Sequence, residues 1–431
     1  MTETGGVLRS SADASHAGRS RRGVAIDIAL FGVAFAVYLT AFSLTGEPFP
    51  KHWVYSTDTT EAGLRIFEDP DRWALYHLKR RPLFVVLSAP VFELGRGIFG
   101  GLDAPTGRNL ALALGPALAG ALAVVVAWRV LRRVCGDSGL AAPALLLYAT
   151  AGSTLFFSGF PESYAAAALA VNLFLLGLLH WPAEAVVRPA IANALAALVS
   201  PPLVLLAVVP GVRYLRPGSR SGFGRVARYA GIVVALYFVP AVLLGGVTPF
   251  GFKPSRMGYL QKELHKSVEA ERNRGLRSEP AAWAALVANH ALYAIVSPPP
   301  EITPESHIEV DTHYRAGAIV RAGASYQIVA WPILAIVLCG LVAALRHPPP
   351  TLPFARELAV FLIAYLGLIG WANLSEPFLY TMPFLLPLLL LALAPLAQKT
   401  RTHGLQAFAW LLAAGSAAAN LRLVLLLRTM L

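Results

Sequence analysis

Apolar segments of membrane-spanning length recur along the whole chain, and they constrain its fold more than any other feature. Each runs for about 17 to 25 residues, enough for an α-helix to cross the hydrocarbon core of a bilayer. Only 14% of the residues are charged and 56% are hydrophobic, whereas about 25% of residues in soluble domains are charged. The segments lack the alternation of barrel strands, and backbone groups in lipid must be paired internally. The sequence therefore predicts an all-α polytopic membrane protein.

One apolar segment, 82–99, is less regular than the clear spans. Pro90 interrupts it, and Glu93 and Arg96 fall one helical turn apart within it. We interpret it as a juxtamembrane helix, because a full span here would move the following arginine-rich loop outside. The clear spans are expected at 24–45, 107–128, 138–157, 163–180, 229–247, 327–345, 357–373, 381–397 and 405–427.

A second irregular segment, 189–212, contains Ser200-Pro201-Pro202, which predicts a break between two short helices. With both ends of that pair inside, we expect about eleven transmembrane helices, a cytoplasmic N-terminus and two large outer loops. The expected organisation is a disordered cytoplasmic tail over 1–23, a transmembrane module over 24–247 including the outer loop 46–106, a large outer loop over 248–326, and C-terminal transmembrane helices over 327–431.

Carboxylates from three outer loops are expected on one side of the membrane: Asp58 and Glu61, then Glu162, then Glu376. A carboxylate within reach of an acceptor hydroxyl can take its proton as a general base. Another could bind a divalent cation such as Mg²⁺ or Mn²⁺, which prefer oxygen ligands. The structural alternatives are helix capping for Asp58 and Glu61, and placement at a helix N-terminus, worth about 0.3 to 1 kcal/mol, for Glu162 and Glu376.

Cations cluster just before the juxtamembrane helix, at Lys79, Arg80 and Arg81. Arginine can hold a lipid phosphate through a bidentate fork, and lysine acts as a point charge. Ordinary attraction to anionic lipid headgroups, about 1 kcal/mol per residue, explains the same residues equally well. Arg315 and Arg321 in the second large loop are further candidates for phosphate binding.

The formal net charge of +12 resembles that of nucleic-acid-binding proteins. The arginines lie mainly in short loops between spans, where the positive-inside bias accounts for them, so nucleic-acid binding is not expected. The two cysteines, Cys135 and Cys339, lie far apart in different kinds of segment. They imply neither a disulfide nor a thiolate metal site.

Together these residues resemble the GT-C superfamily of membrane glycosyltransferases, which includes protein O-mannosyltransferases, oligosaccharyltransferase catalytic subunits and bacterial aminoarabinose transferases. The resemblance rests on Asp58, on Arg81-Pro82-Leu83 at the start of the juxtamembrane helix, and on Glu162. It extends to the Ser200-Pro201-Pro202 break and to Tyr380-Thr381-Met382-Pro383 at the start of a late span. The chain departs from the superfamily in having Arg-Pro-Leu where a His-Pro-Pro-Leu-like element is usual.

The resemblance implies an inverting glycosyltransferase, expected to act on the periplasmic or extracellular side among the membrane lipids. The Ala-, Arg- and Pro-rich composition suggests a bacterial inner membrane. The implied donor is a polyprenyl-phosphate-linked sugar, with Asp58 or Glu61 as base, and Glu162 as metal ligand or acceptor-orienting group. Tyr380 is implied in substrate binding. Two alternatives are a lipid-linked glycan transporter or flippase, which would need charged residues along a path through the spans, and an O-antigen-type polymerase or ligase.

Overall fold

The computed structural model describes residues 5–44, 81–216, 222–246, 275–298, 318–372, 374, 377–399 and 402–430, and all regular elements within these ranges are helical. The predicted all-α fold class is confirmed. The α-helices are α1 (Gly5–Ala41), α2 (Pro82–Phe99), α3 (Ala104–Cys135), α4 (Ala141–Ala149), α5 (Gly152–Gly159), α6 (Tyr164–Leu178), α7 (Val187–Val199), α8 (Val208–Tyr214), α9 (Gly222–Gly246), α10 (Pro280–Ala288), α11 (Ala318–Arg321), α12 (Ala324–Arg346), α13 (Ala355–Ala372), α14 (Met382–Lys399) and α15 (His403–Met430). Short 3₁₀ segments occupy Gly136–Ser138, Pro201–Ala207 and Pro377–Tyr380, and a π-helical turn covers Asn289–Tyr293.

Several helices are long and apolar enough to cross a membrane. In the part of the chain that the structure describes, 4 qualify by length and composition: Gly23–Ala41, Thr106–Ser138, Ala324–Arg346 and His403–Leu426. The bent pair α4 and α5 makes a fifth if it forms one span. The chain is thus a multi-pass membrane protein, and the count of about eleven spans stays a prediction.

Helix α1 begins earlier than expected. It starts at Gly5, so most of the segment 1–23, predicted as a disordered tail, is helical. The segment contains alanines and arginines, which favour helix, and a helix already nucleated in the following span extends at little cost.

Helix α3 lies at the centre of the packing, in contact with α1, α2, α4, α5 and α6. Asn172 of α6 donates to the Ala123 carbonyl at 3.0 Å and to the Tyr148 hydroxyl at 2.8 Å. Farther along the same two helices Arg133 meets His180. Residue numbers rise together in these contacts, so α3 and α6 run parallel. Helix α6, 15 residues or about 22 Å long at 1.5 Å per residue, therefore places Tyr164 at one end of the bundle and His180, just after Leu178, at the other.

The segment predicted as one span over 138–157 is bent by 50° between α4 and α5. Backbone groups released by the bend need other partners in a membrane. Asn420 of α15 supplies them: its Nδ2 donates to the carbonyls of Thr150 and Ile295 at 2.9 and 2.6 Å, and its Oδ1 accepts from the Ser297 N–H at 2.9 Å. The Ser153 N–H donates to the Ala294 carbonyl at 3.2 Å. The bend is thus stabilised by residues distant in sequence.

The break predicted at Ser200-Pro201-Pro202 is present. Helix α7 ends at Val199, and Ser200 is extended, with φ −148° and ψ 114°. Asn193 donates to the Leu203 carbonyl at 2.8 Å, which ties the two sides of the break together.

Within the described part of the predicted outer loop 248–326, one stretch is buried, from the end of α10 to Ser297. His290, Tyr293 and Val296 have no appreciable exposed surface. This stretch therefore belongs to the core, where α10 and the π-helical turn contact α13, α14 and the 3₁₀ segment Pro377–Tyr380.

Candidate functional site

Arg81 lies at the entrance to α2, and Pro82 determines how the chain arrives there. A proline disfavours helical geometry in the preceding residue, and Arg81 accordingly has φ −138° and ψ 57°. Its side chain reaches the turn between α5 and α6. The guanidinium Nη1 donates to the Ser163 hydroxyl at 2.7 Å and lies 3.8 Å from Glu162 Oε2. It also lies over the Tyr164 ring, 5.9 Å from the centroid.

Glu162 and Ser163 occupy the turn between α5 and α6. The Glu162 N–H donates to the Phe160 carbonyl at 2.7 Å, which makes the turn tight. The Glu162 side chain is only 4% exposed, and it lies just before the first turn of α6, at the positive end of the helix dipole. Ser163 stands at the N-cap, but its hydroxyl makes no capping hydrogen bond and accepts from Arg81 instead. A side chain suited to capping thus orients a cation.

Tyr380 approaches from the C-terminal half of the chain. It ends the 3₁₀ segment Pro377–Tyr380, and its ring meets the Tyr164 ring edge-on, with centroids 5.7 Å apart. The Tyr365 hydroxyl donates to the Tyr380 carbonyl at 3.2 Å and holds the segment in place. Arg81 and Tyr380, which the sequence singled out separately, therefore both contact the Tyr164 ring, and Glu162 lies beside Arg81.

Aromatic rings form an apolar layer beside this cluster. Phe157 lies 4.8 Å from the Tyr164 ring and 5.8 Å from the Phe378 ring, and Phe160 stacks on Phe156 at 4.3 Å. Phe42, which directly follows α1, packs edge-on against Phe160, with ring centroids 4.9 Å apart. Such a layer excludes water from one side, and Coulomb interactions are stronger in a less polar medium.

The remaining predicted site residues do not join the cluster in the part of the chain described. Arg321 is exposed on the short helix α11, which packs against α12. Sequence reasoning did not single out Ser163 and Tyr164, although they directly follow Glu162 and share its turn. The predictions that lie outside the described residues are Asp58, Glu61, Lys79, Arg80, Arg315 and Glu376.

A divalent cation would need several converging ligands. No group of three or more His, Cys, Asp or Glu side chains with that geometry occurs among the residues that the structure describes. Glu162 lies next to the Arg81 guanidinium, which already supplies positive charge there. The described residues on their own do not fit a metal ion.

Comparison with known proteins finds similarity in fold rather than in sequence. No family model matches the chain, and no curated protein matches it. The crystal structure of ArnT from Cupriavidus metallidurans bound to undecaprenyl phosphate superimposes with a TM-score of 0.51 at 17% identity, over 88% of this chain and 62% of ArnT. The chain has the GT-C fold. The GT-C resemblance inferred from the sequence is confirmed at this level.

Two further GT-C structures are similar at lower scores. The Archaeoglobus fulgidus oligosaccharyltransferase in complex with Zn and sulfate gives a TM-score of 0.43 at 18% identity, over 92% of this chain and 52% of that one. ArnT from Cupriavidus metallidurans in the apo state gives a TM-score of 0.38 at 17% identity, over 88% of this chain and 78% of that one. The ArnT structure bound to undecaprenyl phosphate has the highest TM-score of these three. The chain spans 62%, less than two thirds, of its length.

Proposed function

We propose that this chain is a membrane glycosyltransferase that transfers a sugar from a polyprenyl-phosphate donor to an acceptor hydroxyl, with inversion at the sugar. The proposed active face is periplasmic or extracellular, and the N-terminus is cytoplasmic, in a bacterial inner membrane. The GT-C fold supports the class of enzyme. ArnT, the neighbour of similar fold, was crystallised with undecaprenyl phosphate, which suggests the class of donor.

One observation carries the proposal: a preoriented guanidinium next to a buried carboxylate at one end of the bundle. Arg81 is held by the Ser163 hydroxyl and the Tyr164 ring, and Glu162 lies beside it with 4% of its side chain exposed. A guanidinium binds phosphate oxygens well because its planar donors match their spacing. Glu162 balances the cation and can orient an acceptor hydroxyl.

In the proposed reaction the acceptor oxygen attacks the anomeric carbon of the sugar. The bond from that carbon to the phosphate oxygen breaks, and the polyprenyl phosphate leaves with the bonding electrons. The acceptor proton passes to a carboxylate, for which Asp58 is the first candidate and Glu61 the second. Arg81 stabilises the negative charge that develops on the departing phosphate. No step is assigned to a metal ion.

The donor class is tested with undecaprenyl phosphate as the probe, in detergent, by native mass spectrometry of the full-length protein. Replacement of Arg81 by Gln removes a charge-assisted hydrogen-bond donor, which typically weakens binding about 10- to 100-fold. Arg96→Gln is the matched control, because Arg96 lies on the same helix and 60% of its side chain is exposed. Absence of binding to the unmodified protein, or equal loss in both variants, would overturn the assignment of the donor.

The side of the membrane is tested by thiol labelling of intact cells. The natural cysteines are first replaced (Cys135→Ala, Cys339→Ala). Gly101→Cys places a thiol in the exposed turn after α2, where an added Cβ meets nothing within 4 Å. Asp137→Cys places one at the exposed far end of α3. An impermeant reagent should label position 101 from outside and position 137 only after lysis; the reverse pattern contradicts the proposed orientation.

A further inference from the structure

A basic groove lies at the end of the bundle opposite to Arg81 and Glu162. It has a volume of about 750 Å³ and is formed where α1, α3 and α6 meet. Three guanidinium groups and one carboxylate line it, so positive charge is in excess. The polar and aromatic lining residues are Asp27, Trp128, Arg129, Arg132, Arg133 and His180.

Each of the three arginines is positioned by a different partner. Arg129 donates from Nε and Nη2 to Asp27 Oδ2, at 3.1 and 2.6 Å. The guanidinium of Arg132 lies over the Trp128 ring, 5.5 Å from the centroid. Cation–π contacts of this kind hold a guanidinium in place without neutralising it.

The third arginine is positioned by a histidine. Arg133 Nη1 lies 3.1 Å from His180 Nε2, while His180 Nδ1 lies 2.7 Å from the Leu176 carbonyl. A guanidinium only donates and a carbonyl only accepts. The pattern is satisfied when His180 donates from Nδ1 to the Leu176 carbonyl and accepts at Nε2 from Arg133, so His180 orients the Arg133 guanidinium.

We propose that this groove binds the phosphate headgroup of an anionic membrane phospholipid. Guanidinium groups bind phosphate by paired hydrogen bonds, and basic pockets between membrane helices are known to hold lipid headgroups. The groove lies at Gly23, the first residue of the α1 span, so it is at the level where headgroups lie. Leu173 and Leu176 form an apolar wall suited to the start of an acyl chain, and Leu173 is 50% exposed.

Arginines at the end of a span also occur simply through the positive-inside bias. Such residues attract any anionic surface and need no fixed geometry. Here Asp27, Trp128 and His180 fix all three guanidinium groups around one cavity. The lipid affinity of a preformed phosphate site should depend on the planar shape of the guanidinium, whereas affinity from general attraction should depend only on its charge.

The experiment titrates the full-length protein with diphosphatidylglycerol, an anionic phospholipid with two phosphates, and reads occupancy by native mass spectrometry. The pair Arg132→Gln and Arg133→Gln should lower affinity about 10-fold or more. The matched control, Arg225→Gln with Arg228→Gln, removes the same charge from α9, outside the groove, and should change affinity less than about 2-fold. Equal loss in the two double variants would overturn the proposal.

A charge-conserving pair, Arg132→Lys with Arg133→Lys, separates geometry from attraction. A built phosphate site should lose most of the affinity that the Gln pair loses, because lysine lacks the planar fork. Retention of the unmodified affinity would overturn the proposal. Inorganic phosphate at millimolar concentration should not displace the lipid; displacement by phosphate alone would show that a free anion, not a lipid, is the ligand. An unchanged unfolding temperature in detergent confirms that the variants are folded.

This inference does not depend on the proposed function. The groove is tested with diphosphatidylglycerol and with α3 variants, whereas the donor site is tested with undecaprenyl phosphate and Arg81→Gln. If one assignment is overturned, the other still stands or falls by its own experiment.

Discussion

The two ends of the helical bundle both place an arginine beside a carboxylate, but in different surroundings. At the groove end, Arg129 and Asp27 form a short ion pair of 2.6 Å, with 56% and 17% of their side chains exposed. At the other end, Arg81 and Glu162 lie 3.8 Å apart, with 22% and 4% exposed. The hydrogen bond of Arg81 Nη1 at 2.7 Å goes to the neutral Ser163 hydroxyl.

The difference indicates what each pair does. An exposed pair contributes at most about 1 kcal/mol to stability, and Asp27 serves chiefly to position Arg129. Burial of a carboxylate carries a desolvation cost that its partners must offset. A buried carboxylate beside a guanidinium is the kind of group that occurs at functional sites as well as in structural ion pairs, and the two roles of Glu162 are separated by the variants below. Substitutions at the Arg81 and Glu162 end should therefore change donor binding and sugar transfer, whereas substitutions in the groove should change phospholipid binding.

The largest expected effect is that of Asp58→Asn, the candidate base. Loss of a general base typically lowers turnover about 1,000-fold, equivalent to about 4 kcal/mol. Sugar transfer in reconstituted vesicles measures it, with membrane insertion and unfolding temperature as checks on folding. Asp137→Asn is the control, because its exposed carboxylate lies just past the end of α3 away from Arg81 and Glu162, and it should retain transfer. Unmodified turnover by Asp58→Asn would remove Asp58 as the base.

The second effect is that of Glu162→Gln, for which we expect transfer to fall about 100-fold, or about 2.7 kcal/mol. Its control is Glu357→Gln. Glu357 is equally buried, with 1% of its side chain exposed, and forms an ion pair with Arg216. Both variants should lower the unfolding temperature, but only Glu162→Gln should lower transfer per folded molecule. Equal activity in the two variants would make Glu162 a structural residue.

Local sequence signals predicted those parts of the site and fold that depend on short segments. Proline chemistry predicted the break after Val199, and the apolar run after Arg81 predicted helix α2 with the bounds that the structure has, Pro82–Phe99. Apolar length predicted the four helices that are long and apolar enough to span a membrane. In each case a few neighbouring residues determine the backbone, so no knowledge of packing was required.

Convergence of distant segments could not be predicted in this way. Nothing within the Ser158–Tyr164 loop indicates that Ser163 accepts from Arg81, a residue 82 positions earlier. The bend between α4 and α5 likewise depends on Asn420, which is 270 positions from Thr150. Neither contact has a local sequence signature, because each depends on the packing of helices.

A third, smaller effect tests the region between the two ends. Asn420→Ala removes a side chain that donates to the Thr150 carbonyl at the bend and also pairs with the Ile295 carbonyl and the Ser297 N–H, and unsatisfied buried groups cost about 1 to 3 kcal/mol. We expect stability to fall by about 2 kcal/mol, measured by unfolding in detergent, with transfer per folded molecule unchanged. Ser416→Ala, which removes a hydrogen bond to the Ile295 carbonyl at 3.2 Å and a longer one from Asn420 at 3.5 Å, should cost less. A selective loss of transfer in Asn420→Ala would place part of the site at the bend.

The smallest expected effect is that of Arg96→Gln, at the far end of α2 from Arg81. Arg96 pairs with Glu93 at 3.2 Å, but both side chains are more than half exposed, at 60% and 62%. Exposed pairs one turn apart in a helix contribute about 0.3 to 0.5 kcal/mol and are screened by salt. Unfolding temperature, lipid binding and transfer should all stay near those of the unmodified protein. Because Arg96→Gln removes the same charge from the same helix as Arg81→Gln, a large effect of both would mean that α2 acts through its total charge. An effect of Arg81→Gln alone would mean that the site depends on where that one guanidinium is held.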